Sequence, residues 1–220
     1  MAVVIFAHYA ITLKLIVPGD AAETVQNILA HETMFRVAVA CNVAYSIGAV
    51  VLLSALYVVL SPVGRGVAGA AAACRMVFAM TWMLVAIDFL GALRLGAGPD
   101  YLHVIDSERL HALARLRLAG TSDAYYVGLP FYGLANTLCA WLWLKSRYVP
   151  RWLALSGVVA SGWCVLSAML YLVFPAFGDA VNLYTLDSPM AVFEIVISIW
   201  LIVRGLRSIR RRADGTVKDD

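Results

Sequence analysis

The sequence predicts an all-α, polytopic membrane bundle of about six transmembrane helices joined by short loops. Three observations carry that prediction. Hydrophobic residues make up 62% of the 220 residues and charged residues only 14%, against about 25% charged in soluble domains. With a mean hydropathy of +0.82, the chain has more apolar surface than one globular core of this size can hide; lipid accepts the surplus. The apolar residues also fall in continuous runs near the length of about 20 that a spanning helix needs. Those runs do not alternate, which argues against strands, because backbone groups in lipid must be satisfied inside a helix or a closed barrel.

The first run is Ala2 to Val17. It is short, and it ends at Pro18-Gly19-Asp20 with Lys14 placed to snorkel toward the interface. A cleaved signal peptide is the alternative reading, but no basic segment precedes the run; a start site set too far downstream would also explain its length. A polar connector with one short helix follows from Asp20 to Met34. Asp20 can cap that helix, with Glu23 at the capping-box position.

The second span is Phe35 to Leu60, closed by Ser61-Pro62-Val63-Gly64-Arg65-Gly66. The third, 67–95, ends at Gly96-Ala97-Gly98-Pro99, and such Gly/Pro clusters are turn chemistry. The longest polar segment, Asp100 to Ser122, has Leu102, Ile105, Leu113 and Leu116 near one helical face, a pattern that fits an interfacial helix in the third-to-fourth connection. The remaining spans are 123–144, 152–174 and 189–206, with a basic, unstructured tail over 207–220.

Net charge is +3, but the cations sit at the ends of apolar runs rather than on an aromatic-interleaved stripe, so nucleic-acid binding is not expected. Six spans put both termini on one side. That side carries ten Lys or Arg, including Arg65, Lys145, Arg147, Arg151 and Arg204, against six opposite; the positive-inside bias makes it cytoplasmic. Trp141, Trp143, Tyr148 and Trp152 cluster beside the fourth-to-fifth loop as an interfacial belt. Gly69 with Ala73, and Gly157 with Ser161, have the spacing that lets helix backbones approach.

Ionisable and amide groups inside spans are costly, roughly 2.5–3.5 kcal/mol for a charge at the helix centre on insertion scales, so they mark where function is sought first. The chain offers Arg36 and Asn42 in the second span, Arg75 and Asp88 in the third, Asn136 in the fourth and Glu194 in the sixth. Counting residues from the expected boundaries puts Arg36, Asp88 and Glu194 at one depth near the outer side. They are expected to form a polar cluster, either a ligand, ion or proton site or an ion pair that fixes helix register. Arg75, about 20 Å along its helix from Asp88, is expected to meet Asn136, backbone carbonyls or water.

Other signals are weaker. His31-Glu32 begins like a zincin motif, but Phe35 stands where the second His belongs. His103 and His111 lie in the polar segment without a ligand pattern, and His8 lies in the first span. Cys41, Cys74, Cys139 and Cys164 fall inside apolar runs and read as small packing residues. Phe131, Tyr125, Tyr126 and Tyr132 form an aromatic group better suited to packing than to a cofactor cage. No nucleotide or nucleophile-elbow fingerprint occurs, and no metal or cofactor is expected.

The stretch Leu15-Ile16-Val17-Pro18-Gly19-Asp20-Ala21-Ala22, then Asn27-Ile28-Leu29-Ala30-His31-Glu32 and Phe35-Arg36, resembles the opening of bacterial membrane proteins catalogued as domain of unknown function 4386. Leu56-Tyr57 through Ser61-Pro62-Val63, Phe131-Tyr132-Gly133-Leu134, Ser146, Val149-Pro150-Arg151, Glu194 and Trp200 through Gly205 continue the likeness. The resemblance implies a multi-helix protein of the bacterial inner membrane and highlights Arg36, Arg75 and Glu194; it implies no reaction. Three classes of function remain in view: a small-molecule or ion permease; an intramembrane enzyme or lipid handler using Asp88 and Glu194; and a structural, sensory or regulatory protein. The bilayer is the one expected partner, with room for a small-molecule ligand or a homo-oligomer.

Overall fold

The computed structural model describes residues 10–17, 20–98, 105–174, 176–177, 181 and 183–205. Every regular element among them is a helix. Residues 10–15 are helical, and six helices follow: α1 (Ala21–Ala30), α2 (Glu32–Leu60), α3 (Arg65–Ala97), α4 (Ser107–Ser146), α5 (Arg151–Val173) and α6 (Leu183–Arg204). Four of them, α2 to α5, are long and apolar enough to cross a membrane. The rest of the first expected span, His8, His103 and the 207–220 tail lie outside the described residues.

Surface and interior have the distribution expected in hydrocarbon. Ile47, Val58 and Ile202 are exposed, the last by 84%, while Asn42, Ser46, Arg75, Asn136 and Ser161 are buried. Without water outside, polar groups gain most by finding each other in the interior.

The helix starts and stops follow local chemistry. Asp20 caps α1, its carboxylate accepting from Glu23 N–H at 2.8 Å. The reciprocal half of a capping box is replaced by a backbone bond, Asp20 N–H to the Val17 carbonyl. Buried Thr24 ties the preceding segment to α1, its hydroxyl accepting from Val17 N–H at 3.0 Å. One residue, His31, separates α1 from α2. After α6, Gly205 takes φ +64° and its N–H bonds the Leu201 carbonyl; left-handed backbone is natural to glycine at a helix stop.

Two expected boundaries move. The break before Asp123 is absent, because α4 runs unbroken for 40 residues, about 60 Å. The expected polar segment ending at Ser122 and the expected span starting at Asp123 are one helix, and Thr121 at their junction donates its hydroxyl to the Leu118 carbonyl inside it. Thus the expected interfacial helix is the front part of α4. The sixth helix begins at Leu183, ahead of Pro189, which lies inside it.

The chain divides into two compact units. One comprises residues 1–52 and 76–128, the other 53–75 and 129–220. In the first, Phe35, Ala38, Val39, Val85, Ala86 and Phe89 form a core with Val25 and Ile28 of α1 and with Ala114 and Leu118 of α4. Phe35 stacks on Phe89 at 4.9 Å, and Ser46 donates to the Ala79 carbonyl on α3. Tyr45, Trp82, Tyr125 and Tyr126 form a chain of ring contacts, so these aromatics pack.

In the second unit α5 packs on α6. Gly157 of α5 lies against the Phe193 ring, with no space for a side chain. Gly133 of α4 lies as tightly against Val165 and the Ser161 carbonyl of α5, and Thr137 is hydrogen-bonded to Ser161 at 2.7 Å. The Gly157/Ser161 pair therefore serves close helix approach. Gly69 does not, since it faces open space.

Candidate functional site

The charged side chains pair differently from the expected cluster. Arg36 binds Glu32 one turn earlier at 2.7 Å, with both side chains exposed. Asp88 accepts from Arg117 of α4 at 3.2 Å. Glu194 accepts from Arg75 at 3.0 Å. Each of Arg36, Asp88 and Glu194 thus has its own ion-pair partner, and the arginine that Glu194 binds is Arg75.

The reason lies in the start of α6. Counting from Pro189 put Glu194 just below the outer boundary, but the helix begins at Leu183, so Glu194 lies at mid-length. Arg75 is ten residues after Arg65 at the start of α3. Asn136 is ten residues before Ser146 at the end of α4, and Glu194 ten residues before Arg204 at the end of α6. Ten residues of helix span about 15 Å, half of a hydrocarbon core of about 30 Å. Equal distances from three helix ends fit the contacts by which the three side chains meet.

The site is assembled within the second unit. Arg75 is 5% exposed and Glu194 33%, so a deeply buried guanidinium meets a carboxylate that is still partly accessible. Asn136 donates from Nδ2 to the Tyr132 carbonyl at 3.1 Å and toward Glu194 Oε1 at 3.4 Å. The Arg75 guanidinium also lies over the Tyr132 ring, 4.9 Å from its centroid, within cation–π range. Tyr132 was read as packing. Its spacing of four from Asn136, which puts both on one helical face, was the signal that could have found it.

Beside Arg75 and Asn136 lies a half-open apolar cleft, lined by Leu53, Leu56, Tyr57 and Leu60 of α2, small alanines of α3, and Cys139 of α4. Its enclosed volume is about 10 Å³, the space of about one water molecule. Its polar lining comes from Tyr57, Arg75 and Asn136, so a water held there meets the guanidinium and the amide, while Glu194 lies outside the lining on the other side of that contact.

Asn42 belongs to the first unit. Only 1% exposed, its amide oxygen and nitrogen find no hydrogen-bond partner among the described residues. Also there, no group of three His, Cys, Asp or Glu side chains among the described residues is arranged to hold a metal. His31 Nδ1 sits 3.1 Å from the Asn27 carbonyl, a helix-end contact.

No curated protein and no solved structure matches the chain. A family match covers residues 1–205. Spanning almost the whole chain, including Arg36, Arg75 and Glu194, it shows that the protein belongs to the family described as domain of unknown function 4386 (DUF4386).

Proposed function

We propose that this protein is a six-span permease of the bacterial inner membrane that moves a proton or a small ion, with both termini cytoplasmic. Six spans follow if the run 2–17 and the 22 residues of α6 join the four helices already long and apolar enough. The ten-to-six excess of Lys and Arg supports the orientation. The observation that carries the function is the Arg75–Glu194 pair, with Asn136 beside it and a water-sized cleft alongside. Ionisable groups in a membrane interior mark ion and proton paths, and the size of the cleft favours a proton or ion over an organic solute.

Proteoliposomes carrying a trapped pH dye test this reading under an imposed potassium diffusion potential. The expected result is proton flux severalfold above protein-free vesicles, lost in Glu194→Gln and retained in Glu194→Asp. Flux of protons, sodium and potassium no greater than in empty vesicles would end the proposal. Reporter fusions at each terminus test the orientation.

A second reading, that the pair fixes helix register, is favoured by the way Arg75 joins α3 to Tyr132 on α4 and to Glu194 on α6. Under it, Glu194→Gln leaves growth and every flux unchanged while lowering stability. An intramembrane enzyme loses its candidate acid pair, since Asp88 and Glu194 each hold a different arginine.

A further inference from the structure

A separate feature of the second unit points to a lipid ligand. Among the described residues of that unit the only carboxylates are Asp187 and Glu194. Glu194 is held by Arg75, and Asp187 lies near the far end of α6 from Arg204. Five exposed cations remain at the opposite helix ends: Arg65 starts α3, Lys145 and Arg147 end α4, Arg151 starts α5 and Arg204 ends α6. None has a side-chain ion pair among the described residues. In the first unit Arg36 and Arg117 have carboxylate partners, while Lys14, Arg94, Arg109 and Arg115 show none among the described residues; what sets the second unit apart is how few described carboxylates it holds.

The α4–α5 loop presents three of the five in a fixed frame. Arg147 adopts φ +57°, the one positive φ found at a described non-glycine residue, and its N–H bonds the Trp143 carbonyl at 3.0 Å. Tyr148 N–H bonds Ser146 Oγ at 3.3 Å, and Val149 is buried. A left-handed helix stop is ordinarily filled by Gly or Asn, so an arginine there is strained in the backbone while its side chain stays exposed. Trp141 and Trp152, 58% and 64% exposed, stand on either side of the loop in sequence. Exposed indoles of this kind mark the level of lipid headgroups.

We propose that this end of the protein binds the phosphate headgroup of an anionic phospholipid, with Lys145, Arg147 and Arg151 as the primary contacts. Strain at Arg147 is then offset when its guanidinium meets phosphate, and among the described residues no carboxylate at this end competes with an anion for the cations. A bilayer leaflet supplies that anion at the height the two tryptophans set. The inference stands apart from the proton- or ion-path reading.

Native mass spectrometry of the full-length protein in detergent, titrated with phosphatidylglycerol and with phosphatidylcholine of the same acyl chains, tests it. The expected result is at least tenfold tighter binding of phosphatidylglycerol. Arg147→Gly should lower that affinity about fivefold, the effect of one cation near a charged lipid surface, with an unchanged or higher melting temperature in phosphatidylcholine. Arg151→Gln, which leaves the helix stop alone, should have the same effect and serves if the first variant fails to fold. Equal binding of the two lipids, or wild-type affinity in a folded variant, overturns the proposal. Displacement of the lipid by millimolar glycerol phosphate also overturns it, because the site would then be one for free phosphate.

Discussion

Removing one member of the Arg75–Glu194 pair should cost far more than removing both. Glu194→Leu leaves a guanidinium that is 5% exposed without its counter-charge, and arginine cannot shed a proton. Breaking a buried pair from one side costs about 3–5 kcal/mol. Glu194 is one-third exposed and Tyr132 still faces the guanidinium, so the lower end, about 3 kcal/mol, is expected. Arg75→Met leaves a carboxyl that can neutralise itself by binding a proton, and should cost less, about 1–2 kcal/mol. The double variant Arg75→Met with Glu194→Leu replaces both charges with apolar side chains and should fall within about 1 kcal/mol of wild type or be more stable. Equilibrium unfolding in mixed micelles, followed by tryptophan fluorescence, closes the cycle with a coupling energy of roughly 3–5 kcal/mol. Additive single costs would refute the pair as an energetic unit.

Three further outcomes follow from other contacts. Gly157→Leu drives a side chain into the Phe193 ring and should destabilise by about 3 kcal/mol or more, measured by the same unfolding curve, whereas Gly69→Leu in open space should be near neutral. Asn42→Leu removes a buried amide with no hydrogen-bond partner among the described residues and should stabilise by about 1–3 kcal/mol; a loss of stability would show that the amide has a partner. Asp20→Ala removes the α1 cap and should cost about 1 kcal/mol, with Asp20→Asn retaining most of it.

The helix boundaries were legible wherever Gly and Pro interrupt an apolar run. Ser61 to Gly66 and Tyr148 to Pro150 separate helices to within two or three residues of the sequence reading. Polarity misled at Ser122 to Asp123, where the polar segment continues into the span as one helix and Ala114 and Leu118 join the core. The Gly/Pro rule misled at Pro189, where a proline taken as a start lies in the second turn of a helix. That displacement alone hid the partner of Glu194. Cost of burial did identify Arg75, Asn136 and Glu194 as residues of interest, but not their pairing, because pairing depends on which faces of three helices turn together. Arg147 had no signal at all: Lys-Ser-Arg-Tyr reads as a basic loop, and a left-handed backbone is invisible in composition.

The outward-facing Ile47, Val58 and Ile202 also shape the calorimetry of this protein. A soluble domain gains heat capacity on melting because apolar groups enter water. In a membrane or micelle such groups would already lie against hydrocarbon, and opening the bundle there would exchange one oily neighbour for another. The melting enthalpy should therefore vary little with temperature. A differential scan should show almost the same baseline on both sides of the transition, and cooling should not unfold the protein.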